Sequence, residues 1–189
     1  MLIREQHPLA LERDQVRGVA RIDEIWPQPI PHHHQKDSSV GVRSSPAGYR
    51  YQGTDPDSSR RWPPMPAIFQ TLATRAARDA GYPDFQPDAC LVNLYEPGAK
   101  LSLHQDRDER DLASPIVSVS LGLPAVFLFG GLRRNDKPRR IRLEDGDVVV
   151  WGGPTRLAFH GVDTLADGSH PLTGRARFNL TFRRAGGTP

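Results

Sequence analysis

Hydrophobic and polar positions are unevenly patterned along the chain. Up to Ala47 no periodicity holds. Leu9 to Arg21 could form a short charged helix, and Trp26-Pro-Gln-Pro-Ile-Pro31 forces an extended, proline-rich path. Ser38 to Gly48 reads as loop. Apolar positions concentrate after Pro66. There Ile68, Phe69, Leu72, Ala73, Ala76, Ala77 and Ala80 form one helical stripe, with Pro66 at the first helical position and Gly81 as the C-terminal cap. Arg75, Arg78 and Asp79 fall off the stripe, so this helix should pack against a sheet and expose its charges.

Beyond the helix the chain breaks into short runs separated by Gly, Pro and Asp. The runs are Ala89–Tyr95, Lys100–His104, Ile116–Leu121, Val126–Phe129, Arg139–Leu143, Asp147–Trp151, Leu157–Gly161 and Arg177–Phe182. About eight strands of this length, with turns between them, favour a sandwich or jelly roll, mainly β with one flanking helix. Three runs carry polar residues on one face only. Leu91, Asn93 and Tyr95 alternate with apolar neighbours, Ser118 and Ser120 oppose aliphatics, and Arg177, Asn179, Thr181 and Arg183 oppose Phe178, Leu180 and Phe182. Such faces line either a wet exterior or the lumen of a barrel. In a lumen, Arg177 and Arg183 could clamp the two ends of a dicarboxylate, with Asn93, Tyr95 and Asn179 completing its hydrogen bonds.

A chain of 189 residues suits one folded unit, and its apolar residues place that unit late. We expect an irregular or divergent N-terminal segment over 1–47 and a folded domain over 48–189. The net charge of +3 and pI near 9.3 permit a phosphate-rich partner without demanding one. Lys36, Lys100 and Lys137 are the only lysines, so the positive charge is mostly guanidinium, which grips phosphates and carboxylates bidentately. The lone Cys90 excludes an intrachain disulfide and suits a reducing cytoplasm. No run is long and apolar enough to cross a membrane, and no signal sequence opens the chain, so a cytoplasmic location is expected.

The candidate chemistry centres on His104-Gln105-Asp106. Alternate residues of an extended segment share a face, so an imidazole and a carboxylate point the same way. They make two-thirds of a 2-His-1-carboxylate site, which binds Fe(II) and leaves positions open for co-substrate and oxygen. The third ligand is His160, on a strand, or His170, in a loop; rigidity favours His160. His32-His33-His34 cannot all face one ion and reads as a solvated loop. Tyr49-Arg50-Tyr51 places two aromatics on one side of an extended segment, either a phosphate-contacting or base-stacking edge or simply an edge strand.

His104-Gln-Asp106, His160 and Arg177-x-Asn-x-x-x-Arg183 together resemble the AlkB family of Fe(II)- and 2-oxoglutarate-dependent dioxygenases, which repair alkylated DNA. The likeness extends over Gly81–Cys90, Pro97–Asp106, Pro115–Pro124, Asp147–Gly153 and Asn179–Arg183. It implies a double-stranded β-helix (jelly roll). It also implies Fe(II) on His104, Asp106 and His160, with 2-oxoglutarate held by Asn93, Tyr95, Arg177, Asn179 and Arg183. Tyr49, Arg50, Tyr51, Asp108 and Arg134 correspond to positions that contact the nucleic acid. The family's N-terminal lid, which grips the flipped nucleotide, is not recognisable before Gly48, so the resemblance leaves residues 1–47 either irregular or a divergent nucleotide lid; Val42 stands where the family has a base-stacking tryptophan, and Ala158 where it has an aromatic in the pocket region. The implied activity is oxidative demethylation of 1-methyladenine and 3-methylcytosine, with O2 consumed and succinate and formaldehyde produced. The expected partner is single-stranded or duplex DNA bearing methylated bases, the expected assembly a monomer. The alternatives are the same oxygenase acting on RNA or on a non-nucleic-acid substrate, or a nucleic-acid-binding jelly roll without catalysis.

Overall fold

The computed structural model describes residues 64–186, together with the backbone of three short strands: β1 (Ser38–Val40), β2 (Val42–Ser45) and β3 (Gly48–Tyr51). After them come α1 (Ala67–Asp79), β4 (Ala89–Tyr95), β5 (Leu101–His104), β6 (Ile116–Gly122), β7 (Ala125–Phe129), β8 (Arg139–Leu143), β9 (Val148–Trp151), β10 (His160–Val162) and β11 (Arg177–Arg183). Leu9 to Arg21, the proline-rich run and the triple histidine lie outside the described residues.

Ser38–Val40 and Val42–Ser45 are strands, although the segment reads as loop. β1 pairs antiparallel with β4 across Cys90–Val92, and β2 pairs with β3. Their order comes from backbone pairing with a partner, which leaves no periodic signature in so short a polar segment.

Pro66 sits one position outside α1. Its ψ of 137° is extended while its carbonyl accepts bonds from the amides of Phe69 and Gln70. At the other end Gly81 adopts φ +88°; its amide bonds to the Arg78 carbonyl and that of Tyr82 to the Ala77 carbonyl. Those two bonds satisfy carbonyls the helix would otherwise leave open, in a Schellman cap that glycine makes cheap. Phe69, Leu72, Ala73, Ala76 and Ala77 of the stripe are buried as its spacing predicts, while Ala80 at the C-terminal end is half-buried and Ile68 stays exposed.

The strands form two main antiparallel sheets, ordered β1-β4-β11-β6-β9 and β5-β10-β7-β8, with β2-β3 as a separate hairpin. The five-stranded sheet sorts its residues by face. Cys90, Val117, Val119, Leu180 and Phe182 pack under Phe69, Leu72, Ala73, Ala76 and Ala77 of α1. Each large side chain buried there contributes about 1.5–3 kcal/mol, which anchors the sheet against the helix. The opposite face carries Asn93, Ser118, Ser120, Arg177, Asn179, Thr181 and Arg183 and turns toward the four-stranded sheet. Both sheets together line one cavity. The polar faces therefore point into a lumen, and the architecture is the double-stranded β-helix. No helix among the described residues is long and apolar enough to cross a membrane.

Gly161 shows how tightly the small sheet is drawn together. A Cβ there would come within 2.5 Å of the backbone oxygen of Leu101 on β5. Gly161→Ala must therefore force β10 away from β5. We expect a loss of about 1–3 kcal/mol in urea unfolding, the usual cost of overpacking, accompanied by weaker metal binding.

Candidate metal centre and co-substrate cavity

The pairing of β10 with β5 sets His160 directly opposite His104. Their rings lie 4.4 Å apart between centroids. The Nδ1 atoms are 2.9 Å from the Ser102 carbonyl and 3.0 Å from the Ala158 carbonyl respectively. A carbonyl only accepts, so each Nδ1 carries the hydrogen and each Nε2 is left with its lone pair facing inward. Asp106 completes the group. Its Oδ1 is 3.6 Å from Nε2 of His104 and its Oδ2 3.7 Å from Nε2 of His160. All three donor atoms fall within 4.8 Å of one another, spacing that lets one ion touch each. β5 ends at His104, so Asp106 is not on the strand the alternation argument assumed. It reaches the site from the following coil, where Arg183 donates from Nη2 and Nε to Oδ2 at 2.6 and 3.0 Å.

The electrostatics prepare the three groups differently. Burial alone would raise Asp106, but Arg183 and the two imidazoles overcome it and hold the carboxyl far below its usual range. For His160 burial dominates, only partly opposed by Asp106, and brings the imidazole down to about 4. Burial also pulls His104 down, yet the hydrogen bond and charge of Asp106 outweigh it and its net shift is upward. Near neutrality, then, His160 is ready to ligate and His104 is the group that competes for a proton. Binding of Co(II), a redox-stable stand-in, should be flat at alkaline pH. Its affinity should fall by about tenfold per pH unit once His104 protonates, since one proton must leave for the metal to enter. A titration series across pH checks the sign.

Beside this centre lies a cavity of about 530 Å³, including its open mouth, lined by Asn93, Tyr95, Arg177, Asn179, Thr181 and Arg183 among others. Arg177 is 1 % exposed, donates from Nε to Ser120 Oγ at 3.0 Å, and lies 5.0 Å from the centre of the Tyr95 ring. Its Nη1 is buried with no hydrogen-bond partner, as is Nε1 of Trp151. Orphaned donors of this kind are costly, and an anionic oxygen entering the cavity would satisfy them. Asn179 is fixed by Ser118 Oγ and the Val119 carbonyl, and its own Oδ1 accepts from Thr181. The donor set therefore fits both a divalent metal and a carboxylate-bearing ligand next to it.

Residues 20–183 match the 2OG-Fe(II) oxygenase superfamily. The chain belongs to that superfamily. It is 65% identical over 147 residues to the alpha-ketoglutarate-dependent dioxygenase AlkB of Escherichia coli strain K12, covering 78% of this chain and 68% of the other. It is also 34% identical over 176 residues to the DNA N(6)-methyladenine demethylase ALKBH1D of Arabidopsis thaliana, covering 79% of this chain and 39% of that protein. Among solved structures, that of OsALKBH1 superposes with a TM-score of 0.68 at 32% identity, over 82% of this chain and 83% of that one. The protein is an AlkB-type dioxygenase that uses Fe(II), 2-oxoglutarate and O2.

Not every candidate residue of this oxygenase converges on the centre. His170 stands apart, 3.7 Å from Asp145 and bridged to Gly174. Arg183 lines the cavity but spends two donors on Asp106. Asp108 and Arg134 are exposed, and Arg134 lies 5.9 Å from the centre of the Phe159 ring, next to His160. Tyr49, Arg50 and Tyr51 fall on β3, whose side chains, like that of Val42 on β2, are outside the described residues. Ala158 is not in the cavity lining. It is buried with Ile116, Phe127, Phe129 and Trp151, because the turn before it continues to the Thr155 carbonyl and β10 begins only at His160.

Trp151, Ser118, Ser120 and Thr181 also line or brace the cavity, beyond the candidate residues that the sequence points to. The serines and Thr181 show in the sequence as the polar side of amphipathic strands; Trp151 does not, because it ends an apolar run.

Proposed function

We propose that this AlkB-type oxygenase removes methyl groups from N-alkylated bases, 1-methyladenine and 3-methylcytosine, in DNA. The observation that carries the reading is the pairing of the His104–Asp106–His160 group with an unsatisfied guanidinium in the adjoining cavity. The demethylase named among its relatives supports a methylated nucleic acid as substrate. Bound Fe(II), 2-oxoglutarate and O2 supply the oxidation: the keto acid leaves as succinate and carbon dioxide, and the N-methyl carbon as formaldehyde.

The chain's own residues do the rest. His104, Asp106 and His160 would hold the metal beside the cavity. Arg177 would bind the distal carboxylate of 2-oxoglutarate through its unpaired Nη1, with Asn93 and Tyr95 completing its hydrogen bonds, while Asn179, whose two amide hydrogens go to Ser118 and Val119, shapes the cavity wall. Arg183 keeps Asp106 aimed and closes the near end. The two sheets exclude bulk water from the reacting atoms. Exposed Asp108 and Arg134 meet the substrate, the first through an exocyclic amine and the second through phosphate. Tyr49 to Tyr51 and a divergent lid within residues 1–47 grip the extruded nucleotide; a base in a duplex must leave the stack first, so single strands react more readily. All three ligands and the cavity lining come from one chain, which supports a monomer. A buried, solitary Cys90 suits a reducing cytoplasm.

The test is formaldehyde release from methylated and unmethylated oligonucleotides, DNA and RNA, with Fe(II) and 2-oxoglutarate. Methylated DNA should yield formaldehyde, and omission of either cofactor should stop it. Formaldehyde from RNA alone would move the reading to RNA, and none from any strand would end it. Arg134→Ala should lower the salt dependence of oligonucleotide binding by about one unit of slope, the loss of one phosphate contact.

A further inference from the structure

The run Asp106-Arg-Asp-Glu-Arg-Asp111 looks like a solvated charge cluster, but two of its members face inward. Glu109 is as buried as Asp106, with side chains each 2 % exposed. Glu109 lies between two guanidiniums that are themselves buried: its Oε2 accepts from Arg156 Nη2 at 3.1 Å, and its Oε1 is 3.3 Å from Arg183 Nε.

Arg156 comes from the turn that joins β9 to β10. Besides Glu109, it donates from Nη1 to the Asp106 carbonyl at 2.7 Å and from Nε to the Ser114 carbonyl at 2.9 Å, so each of its three nitrogens has one partner. Gln105 ties the same two segments together by donating to the Leu157 carbonyl at 2.6 Å. The contacts close into a ring that runs from the Asp106 carbonyl to Arg156, Glu109, Arg183 and back to the Asp106 carboxylate. Two cations alternate with two anions, so the ring is neutral in the absence of metal.

We infer that Glu109 and Arg156 are positioning residues for the metal, acting through Asp106. This rests on the reading of His104, Asp106 and His160 as the ligands. Asp106 is the one ligand outside a strand, so no ladder of backbone bonds fixes it, and Arg156 fixes its main chain instead. Glu109 works on the charge. Arg183 pulls on Asp106 and competes with an incoming cation for that carboxylate. A second carboxylate on Arg183 divides that pull and leaves Asp106 charge to share with the metal. Without the negative charge at 109 the ring carries a surplus cation beside the site, which opposes a divalent ion directly.

Glu109→Gln keeps the shape and removes the charge. Arg156→Lys keeps the charge and loses the planar fork that reaches three separate acceptors. Both variants are compared with the unaltered protein by titration with Co(II), with thermal unfolding recorded in parallel. Each variant should bind Co(II) some 10- to 100-fold more weakly, the range for removing a partner of a metal ligand, at temperatures where it is fully folded. The visible absorption of bound Co(II) should change as well, in Glu109→Gln because Arg183 then draws harder on the Asp106 carboxylate, and in Arg156→Lys because the Asp106 main chain is no longer held. A role in the fold alone would lower the unfolding temperature and leave affinity and spectrum as they are, and that result in either folded variant overturns the inference. If the unaltered protein itself failed to bind Co(II), the ligand assignment would fall first, and the two failures are distinguishable.

Discussion

Asp106→Ala is expected to reduce formaldehyde release below detection and to remove stable Co(II) or Fe(II) binding. The substitution deletes the only anionic ligand and leaves two neutral imidazoles. It also leaves Arg183, 4 % exposed, with Glu109 as its remaining acidic partner among the described residues. Breaking a buried pair by removing one member costs about 3–5 kcal/mol, and the Glu109 contact at 3.3 Å should return part of it. The variant should therefore fold with reduced stability rather than not fold. Asp106→Asn separates the two effects: it retains the shape and should still be inactive. Activity near that of the unaltered enzyme in a folded Asp106→Ala variant would mean that the metal sits elsewhere.

Arg177→Met is expected to split affinity from stability. Arg177 is held by Ser120 and Tyr95 yet keeps an unpaired Nη1, and burial pulls its guanidinium below the usual value with Tyr95 opposing. Removing one member of a desolvated charge pair costs about 2–5 kcal/mol of binding. That is a rise in KM for 2-oxoglutarate of roughly thirty-fold to several thousand-fold, at about 1.4 kcal/mol per factor of ten. The rate at saturating 2-oxoglutarate should change much less, because the metal ligands are untouched. In the ligand-free protein the same change removes an unsatisfied buried charge, so urea unfolding should show a stability equal to or above that of the parent. An unchanged KM would assign the distal carboxylate to another residue.

The parts of this molecule legible in its sequence are those where one face of a strand differs from the other. Arg177, Asn179, Thr181 and Arg183 alternate with Phe178, Leu180 and Phe182, and the sheet sorts them as the alternation requires. The boundaries of β4 and β8 follow from the same pattern. The sequence weighs His160 against His170 only by rigidity, whereas the register of β10 on β5 sets His160 opposite His104. What stayed hidden depends on contacts between segments distant in the chain. Glu109 sits in a run of charges whose exposed and buried members look alike, and Arg156 sits in a turn. Nothing local marks either as a partner of Asp106. β1 leaves no local mark for a related reason, since its strand character comes from pairing with β4.

Three side chains, His104 from the end of the edge strand β5, Asp106 from the coil after it and His160 paired across to β5, are expected to hold a single ferrous ion. Anaerobic titration of the protein with Fe(II), followed by bound-metal analysis, tests it most directly. The account predicts one iron per chain in the unaltered protein and none retained by His160→Ala. Iron retained at full stoichiometry by folded His160→Ala, or absent from the unaltered protein, would contradict it.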